Sequence, residues 1–440
     1  MSEKVSPGHW ATPGEAIKGW LERAPGPVFA LYAGLMSFGV YFAMYAFRKP
    51  FTAASFSGIA PVAAMGGIDY KIALVIVQVI GYALSKMIGV KVISELPASR
   101  RIIGILLQIG VAEAALVGFA LIPAPWNIAC LFIDGLALGM VWGMVFGFVE
   151  GRRQSELIGA MLCASFILSS GVVKAVGASV MLQGHVSPFW MPAATGLIFT
   201  PLLLFCLAGL SILPPQSAAD VAARVKRAPM DGAARWRLLR SIGPGLVALI
   251  VIYVMLTALR DFRDNFAAEI WIEQGLGGDP DIFAWTELPV GAVVLAALAS
   301  LALLRNNGQA LAANFGLVGL GLAITGLSSL AFSLHMLGPI GWMIALGGGL
   351  YLAYTPFNGL LFDRLVAVSG EIGTAGFLIY VADSSGYAGS VALLIAKNFG
   401  GLKLAWTHFL IDAGLGTCFI GLVLLALAAG FFRRHFRTAH

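Results

Sequence analysis

Long apolar runs recur along the chain and are separated by short polar loops. Each run is long enough to cross a bilayer as a helix, which takes about 20 residues. None shows the alternation of apolar and polar residues over about ten residues that is typical of barrel strands. The runs lie near positions 27–48, 71–94, 102–121, 126–149, 157–182, 189–213, 242–267, 282–303, 309–333, 338–362, 372–396 and 403–432. The pattern predicts an all-α membrane protein with twelve transmembrane helices.

A polar stretch at 215–240 is the longest in the chain and divides it nearly in half. The two halves resemble each other: Tyr41 and Arg48 are matched by Tyr253 and Arg260, at a separation of 212 residues. Further matches occur at offsets of 211 or 212 residues. A constant offset predicts two pseudo-symmetric six-helix bundles related by an axis along the membrane normal, which is the major facilitator arrangement.

The predicted domains follow from these runs and from the polar segments that flank them. At the N-terminus, Thr12 to Glu15 reads as a helix capping box, and Ile17, Trp20 and Leu21 share one helical face behind it. The expected parts are a cytoplasmic amphipathic segment (1–26), an N-terminal six-helix bundle (27–214), a cytoplasmic linker (215–240), a C-terminal six-helix bundle (241–432) and a cytoplasmic tail (433–440).

Composition supports this class and adds an orientation. With 59% hydrophobic and 11% charged residues, the chain lies outside the range of soluble domains. Lysine and arginine collect in alternate loops, which lie on one face of the membrane. We expect this face and both termini to be cytoplasmic, in an inner (plasma) membrane of bacterial type. The net charge of +6 is spread over separate loops, which gives no reason to expect nucleic acid as a partner.

The most informative stretch runs from Tyr41 through Tyr45 to Phe51 and contains two adjacent cations, Arg48 and Lys49. An arginine near the bilayer centre costs about 2.5–3.5 kcal/mol, so it usually has a partner or a ligand. In the alternative interpretation, both cations end the first helix and snorkel to the outer interface. If the halves are equivalent, Arg48 and Arg260 face each other and form a clamp for a phosphate or carboxylate.

Other ionisable residues fall within the apolar runs: Lys86, Lys174, Glu287, Asp383 and Asp134. Such residues are candidates for function, and structural ion pairs between helices are the competing interpretation. For Asp134 we expect a packing or capping role. The four cysteines lie singly in apolar runs, without the spacing of a metal site or a disulfide framework.

Several of these segments resemble the organophosphate:phosphate antiporters of the major facilitator superfamily. Phe47 to Phe51 is similar to the family's helix-one motif, and Tyr82 to Gly89 is similar to its helix-two segment with a binding lysine. Leu259-Arg260 and Glu287 to Gly291 occupy the places of the helix-seven arginine and the helix-eight glutamate. The family's functional histidine of helix five has no counterpart here. The resemblance implies that Arg48 and Arg260 bind phosphate, that Lys86 assists, and that Glu287 couples binding to rearrangement.

The sequence therefore predicts a secondary active transporter of an organic anion, with an organophosphate favoured, and with phosphate or protons as coupling ions. The predicted substrate-binding residues are Arg48, Lys49, Lys86, Arg260, Tyr45 and Lys174, and the predicted coupling residues are Glu287 and Asp383. The alternative function is an anion receptor without net transport. No catalytic set is visible, so we expect no enzyme activity, no cofactor and no metal. The expected partners are the small anion and membrane lipid, and the expected oligomeric state is a monomer.

Overall fold

A computed structural model describes residues 13–150, 152, 155–216, 220, 232–304, 306–358, 360–369, 375–400 and 405–437. The helices of the N-terminal half are α1 (Pro13–Arg23), α2 (Gly26–Arg48), α3 (Tyr70–Glu95), α4 (Ala98–Leu121), α5 (Ile128–Leu138), α6 (Val141–Phe146), α7 (Ser155–Leu182) and α8 (Met191–Ser211). Those of the C-terminal half are α9 (Gly232–Asn265), α10 (Ala267–Glu273), α11 (Ile282–Ala302), α12 (Asn307–Ser333), α13 (Pro339–Tyr354), α14 (Leu360–Ser369), α15 (Ala375–Phe399) and α16 (Trp406–Arg437).

These helices provide the twelve predicted spans. Eleven described segments are long and apolar enough to cross a membrane, with α5 and α6 together forming one of them. The remaining span is interrupted: α13 ends at Tyr354, a 3-10 turn covers Thr355–Asn358, and α14 follows. Each described span coincides with a predicted apolar run. The prediction of an all-α membrane protein is therefore confirmed.

Helix pairing repeats between the halves. In the first half, α2 packs against α7 and α8, while α5 packs against α3 and α4. In the second half, α9 packs against α15 and α16, while α13 packs against α11 and α12. The contacts between the halves also form a matched set, α7 with α11 and α15 with α3. Because the same order of contacts occurs twice, the chain forms two pseudo-symmetric six-helix bundles, as in the major facilitator fold.

Local chemistry sets the ends of the helices that carry the central charges. Proline lacks the backbone N–H that an α-helix uses, and α2 gives way to a 3-10 turn at Pro50–Ala53. Helix α3 begins where the Asp69 side chain accepts a hydrogen bond from the Ile72 backbone N–H at 3.0 Å. We call the end of the bundle where α2 ends and α3 begins the distal end. Helices α7 and α9 also end there, and α11 begins there.

The predicted N-terminal helix is present as α1. Leu21 is buried in a small cluster with Phe29, Val149 and Ile158, whereas Trp20 is half exposed. Thr12, the expected capping residue, lies outside the described residues. Most of the predicted linker also lies outside them, and its last residues, 232–240, form the first turns of α9. The cytoplasmic placement of these segments stays a prediction.

Glycines allow α3 and α5 to approach closely near the central charges. A methyl group at Gly135 would overlap the carbonyl oxygen of Gln78, and one at Gly139 would lie 2.5 Å from the Ser85 Cβ. Backbone atoms cannot move aside as a flexible side chain can. This contact therefore fixes the distance between the two helices.

We expect Gly135→Ala to destabilise the protein by about 1–3 kcal/mol, because the added methyl group overpacks the α3–α5 contact. The measurement is thermal unfolding of the purified protein in detergent. Gly110→Ala is the matched control, since a methyl group at Gly110 of α4 meets no atom within 4 Å. Equal unfolding temperatures for the two variants would contradict the close packing described here.

Candidate functional site

Arg48 occupies the centre of the N-terminal half. Its carbonyl oxygen accepts a hydrogen bond from Gln78 at 3.0 Å, and its guanidinium carbon lies 3.8 Å from the centre of the Tyr82 ring. Gln78 and Tyr82 stand roughly two and three turns into α3. Arg48 is therefore well inside the bundle. Its Nε is buried, and its guanidinium group has no hydrogen bond or ion pair to any residue that the structure describes.

Arg260 takes a similar position in the C-terminal half but has a carboxylate partner. Its guanidinium carbon lies 4.0 Å from the centre of the Tyr354 ring. Its Nη2 and Nε donate hydrogen bonds to the neighbouring Asp261 carboxylate at 2.6 and 3.1 Å. The other Asp261 oxygen accepts a hydrogen bond from Ser390 of α15 at 2.8 Å. Asp261 thus neutralises Arg260 in this conformation.

The internal repeat has a structural counterpart around these arginines. In each half, a tyrosine (Tyr41 or Tyr253) lies seven residues before the arginine, on the same helical face. This tyrosine contacts a second one, Tyr82 or Tyr354, whose ring supports the guanidinium group. The Tyr41 and Tyr82 hydroxyls lie 3.3 Å apart, and the Tyr253 and Tyr354 hydroxyls lie 3.0 Å apart. We call Arg48 and Arg260 the arginine pair. Tyr45 also lies beside Arg48, with its ring centre 5.7 Å from the guanidinium carbon.

Lys86 connects the two halves beside the arginine pair. Its ammonium group forms an ion pair with Asp383 of α15 at 3.0 Å, and both side chains are partly exposed. It also lies 5.4 and 5.2 Å from the ring centres of Tyr82 and Tyr387. Asp383 accepts a further hydrogen bond from the Tyr253 hydroxyl. Two of the predicted site residues, Lys86 and Asp383, are thus brought together next to the arginines.

Lys49 and Lys174 lie apart from this cluster, near the distal end. Both form ion pairs with Asp264 at the end of α9, at 2.5 Å and 2.6 Å. Ser170 of α7 also donates a hydrogen bond to Asp264 at 2.5 Å, and Lys49 donates one to Asn265 at 2.8 Å. All of these contacts join the two halves. We call Lys49, Lys174 and Asp264 the distal clamp.

A second ion pair closes the same end. Lys71, near the start of α3, contacts both carboxylate oxygens of Glu269 of α10 at 2.6 and 2.7 Å. Burial raises the pKa of the Glu269 carboxyl, and the Lys71 ammonium group opposes this rise. Lys71 also donates to the Thr52 carbonyl oxygen at 2.9 Å, so this contact is anchored in the turn that follows α2.

Glu287 is held within its own half. Its carboxylate accepts a hydrogen bond from Arg263 at 2.7 Å, and Arg263 also donates to the Met343 carbonyl oxygen of α13 at 2.9 Å. Both side chains are buried. A methyl group at Gly171 of α7 would lie 2.7 Å from the Glu287 Cβ, so the backbone of the opposite half presses against this glutamate.

Sequence reasoning missed several charged partners, namely Lys71, Asp261, Arg263, Asp264 and Glu269. Three of these lie in Arg260-Asp261-Phe262-Arg263-Asp264-Asn265, of which the sequence analysis singled out Arg260 alone. A signal was present. Arg260 and Arg263, and Asp261 and Asp264, are each three residues apart and therefore share helical faces.

A separate cleft of about 220 Å³ opens between the halves at the distal end. Ala53 to Ser57, with some residues between 178 and 188, border it from one half, and Ala268, Trp271, Asp279 and Phe283 are among the residues that border it from the other. Asp279 is the one charged residue in its lining. Since that lining offers no cation for an anion, the arginine pair is the better candidate site.

Comparison with known proteins agrees with the fold. The sequence profile of a family of unknown function, DUF5690, matches residues 50–435. No curated protein matches the sequence. Six of the solved structures that are similar to this chain are transporters, at sequence identities between 12% and 16%.

Three of these structures illustrate the similarity. A mutant of the peptide transporter POT in complex with alafosfalin has a TM-score of 0.61 at 15% identity, over 97% of this chain and 99% of its own. A bacterial homologue of the human drug peptide transporters has 0.60 at 12%, over 92% and 98%. A POT family transporter in complex with 5-aminolevulinic acid has 0.57 at 13%, over 91% and 96%. At these identities the similarity establishes the fold alone.

Proposed function

This chain belongs to the DUF5690 family, a family of unknown function, and we propose that it is a secondary active transporter of a small organic anion that carries a phosphate group. The observation that carries the proposal is the uncompensated charge of Arg48. Six other cations at or near the contact between the halves have carboxylate partners: Lys49, Lys71, Lys86, Lys174, Arg260 and Arg263. Arg48 has none among the described residues, although its Nε is buried.

An anion is the natural partner for this arginine. A charge removed from water is costly unless it is paired, so a site that retains an unpaired guanidinium group favours a negatively charged ligand. The planar guanidinium group donates two parallel hydrogen bonds, which match a phosphate or carboxylate. Tyr82 holds the guanidinium plane by its ring face and thereby orients these donors. Arg48 is thus prepared for bidentate binding.

Binding between the arginines would also rearrange their present partners. An anion that reaches Arg260 competes with Asp261, and one that reaches Lys86 competes with Asp383. Lys86 and Asp383 belong to opposite halves, so ligand binding weakens a contact that now joins them. This exchange provides a physical link between occupancy and the relative movement of the halves. Glu287 would couple through Arg263 and its contact with α7 at Gly171.

A thermal-shift screen of the purified protein tests the proposal. The compounds are inorganic phosphate, sugar phosphates, phosphonates, dicarboxylates and dipeptides. A ligand at 100 times its dissociation constant should stabilise by about 2.7 kcal/mol. We expect stabilisation by phosphorylated compounds and none by dipeptides. Stabilisation by dipeptides alone would overturn the proposed substrate class.

Uptake into proteoliposomes separates transport from sensing. The bound compound is supplied outside, with and without a pH gradient and with and without counter-anion inside. Accumulation that depends on either gradient supports secondary active transport. Binding without any flux would instead support an anion receptor, which is the alternative function.

We expect Asp383→Asn to strengthen anion binding about tenfold and to slow transport. The amide cannot compete with the anion for Lys86, so Lys86 becomes available to the ligand, while the charge exchange is lost. The measurements are phosphate affinity and proteoliposome flux. Asp412→Asn in α16 is the control, as Asp412 forms no described ion pair with a residue of the site. Weaker binding in Asp383→Asn would contradict the competition.

A further inference from the structure

Asp134 of α5 is fully buried in the N-terminal half and has no cation in direct contact with it among the described residues. One carboxyl oxygen accepts a hydrogen bond from Gln78 at 2.7 Å. The other oxygen is buried without a partner in the part of the chain that the structure describes. A capping or packing role does not account for this arrangement, because Asp134 lies inside α5 and a packing residue would not need a carboxyl group.

Gln78 links Asp134 to the arginine pair. Its amide nitrogen donates both to Asp134 and to the carbonyl oxygen of Arg48, at 2.7 and 3.0 Å. Because one nitrogen donates to both, the Asp134 carboxyl group and the Arg48 backbone lie close together. The carboxyl group is therefore close enough to Arg48 to sense its charge, although no direct hydrogen bond joins them.

Glu113 of α4 is a second carboxyl group in this region. Both of its oxygens are buried without a partner among the described residues. A methyl group at Gly196 of α8 would lie 2.6 Å from one of them, so the glycine leaves the space that this carboxyl group occupies. Gln78 of α3 thus contacts Asp134 directly, and Arg48 of α2 is joined to Asp134 through Gln78. Glu113 of α4 lies close to Phe47, the residue before Arg48, because both adjoin Gly196.

These groups cannot all carry their charges at once. A buried carboxylate without a hydrogen-bond donor is costly, and two carboxylates near each other disfavour double ionisation. A nearby guanidinium group favours one ionised carboxylate. The arrangement therefore allows one negative charge to compensate Arg48, which comes either from a carboxylate of this pair or from a bound anion.

We propose that Asp134 is a proton-binding site that alternates with the transported anion as the counter-charge of Arg48, so that one proton is carried with each anion. This inference rests on the proposed function, since it assigns the coupling ion of the same site. When the anion binds Arg48, Asp134 takes one proton from water. When the anion leaves, Asp134 returns that proton to water, and its carboxylate compensates Arg48. Glu113 competes with Asp134 for this single negative charge, so that ionisation of Glu113 opposes ionisation of Asp134.

Infrared difference spectroscopy tests the proton site without any ligand. The purified full-length protein is titrated from acidic to alkaline pH, and the C=O stretching band of protonated Asp134 is identified by its loss in Asp134→Asn. We expect the wild-type band to disappear as the pH rises. In Arg48→Gln the band should persist to a pH higher by about one unit or more, a tenfold increase in proton affinity, because the favourable guanidinium charge is gone.

Glu113→Gln should shift the titration of the band in the direction opposite to Arg48→Gln. This comparison gives a second test beside the Asp134 variant. Removal of the second carboxyl group should shift the loss of the Asp134 band to lower pH. The proposal is overturned if no band is lost in Asp134→Asn, or if the titration is the same in wild type, Arg48→Gln and Glu113→Gln. If Asp134→Asn does not fold, a displaced band in Asp134→Glu makes the assignment instead, and the opposite shifts of the other two variants decide the matter.

Sulfate binding then tests the link to the anion. Sulfate serves as the probe because its charge does not change over the titration. Above the pH at which Asp134 ionises, wild-type affinity should fall about tenfold per pH unit, as expected for one linked proton. In Asp134→Asn the affinity should not depend on pH. Sulfate binding without pH dependence in the wild type overturns this inference and leaves the anion site intact. An absence of sulfate binding with a normal infrared titration refutes the proposed substrate class instead.

Discussion

Replacement of Arg48 by alanine should abolish anion binding and transport while the protein stays folded. The guanidinium group provides the uncompensated charge of the site, and its loss removes a charge-assisted bidentate contact. We expect a loss of about 3 kcal/mol or more, which corresponds to a weakening of about a hundredfold or more. Arg48→Lys should fail as well, because an ammonium group cannot reproduce the planar fork that stacks on Tyr82.

Affinity for the compound that emerges from the thermal-shift screen is the quantity to measure. Arg260→Ala should show a similar loss, whereas Arg100→Ala removes an exposed arginine at the start of α4 and should bind normally. Thermal unfolding without ligand shows whether each variant is folded. Wild-type affinity in folded Arg48→Ala would refute the clamp and favour the alternative in which Arg48 only anchors the end of α2.

The second large effect concerns the distal clamp. Asp264→Asn leaves Lys49 and Lys174 buried without a carboxylate, and breaking a buried ion pair in this way costs about 3–5 kcal/mol. Since these contacts join the halves, the cost falls on the conformation that is closed at the distal end. A cost of about 3 kcal/mol changes the ratio of closed to open molecules about a hundredfold.

Cysteine accessibility reports this shift. On a background without native cysteines, Ser170→Cys places a thiol beside Asp264, where it is buried in the closed form. We expect Asp264→Asn to raise its labelling rate by a membrane-impermeant reagent on the order of a hundredfold. Lys49→Met should have a smaller effect, since Lys174 still pairs with Asp264.

Glu273→Gln is the matched control for the clamp. It removes a carboxylate at the same end that accepts hydrogen bonds from the Trp406 and Thr407 backbone at 2.8 Å, within the C-terminal half. Its loss should not expose the thiol. Identical labelling in Asp264→Asn and Glu273→Gln would show that the clamp does not hold the halves together.

The fold could be predicted from the sequence because insertion into a bilayer imposes one simple condition on each span. A run of about 20 apolar residues satisfies it locally, without knowledge of the neighbours. The repeat offset then gave the two halves. The break in the helix after Tyr354 was harder to predict, because the run at 338–362 is apolar on both sides of the 3-10 turn.

The partners of the charges could not be predicted, because they are remote in sequence. Lys49 pairs with the end of α9, and its hydrogen bond to Asn265 spans 216 positions. The sequence placed Lys49 and Lys174 with Arg48 as candidate ligands, since all are intramembrane cations. Only the tertiary structure, which brings Lys49 and Lys174 to the end of α9, directs the two lysines to Asp264. Whether they also contact substrate stays a prediction.

The support of Arg48 by the Tyr82 ring has a consequence for the speed of binding. An aromatic face holds a guanidinium group in place without cancelling its charge. When Asp134 is protonated, the positive potential of Arg48 therefore extends beyond the Tyr82 ring and attracts anions before they make contact, which raises their association rate. This attraction is screened by salt, with a Debye length of about 8 Å at physiological ionic strength. The association rate of the anion should accordingly fall as salt is added, while its dissociation rate changes little. For a zwitterionic solute, added salt should leave the association rate unchanged as well.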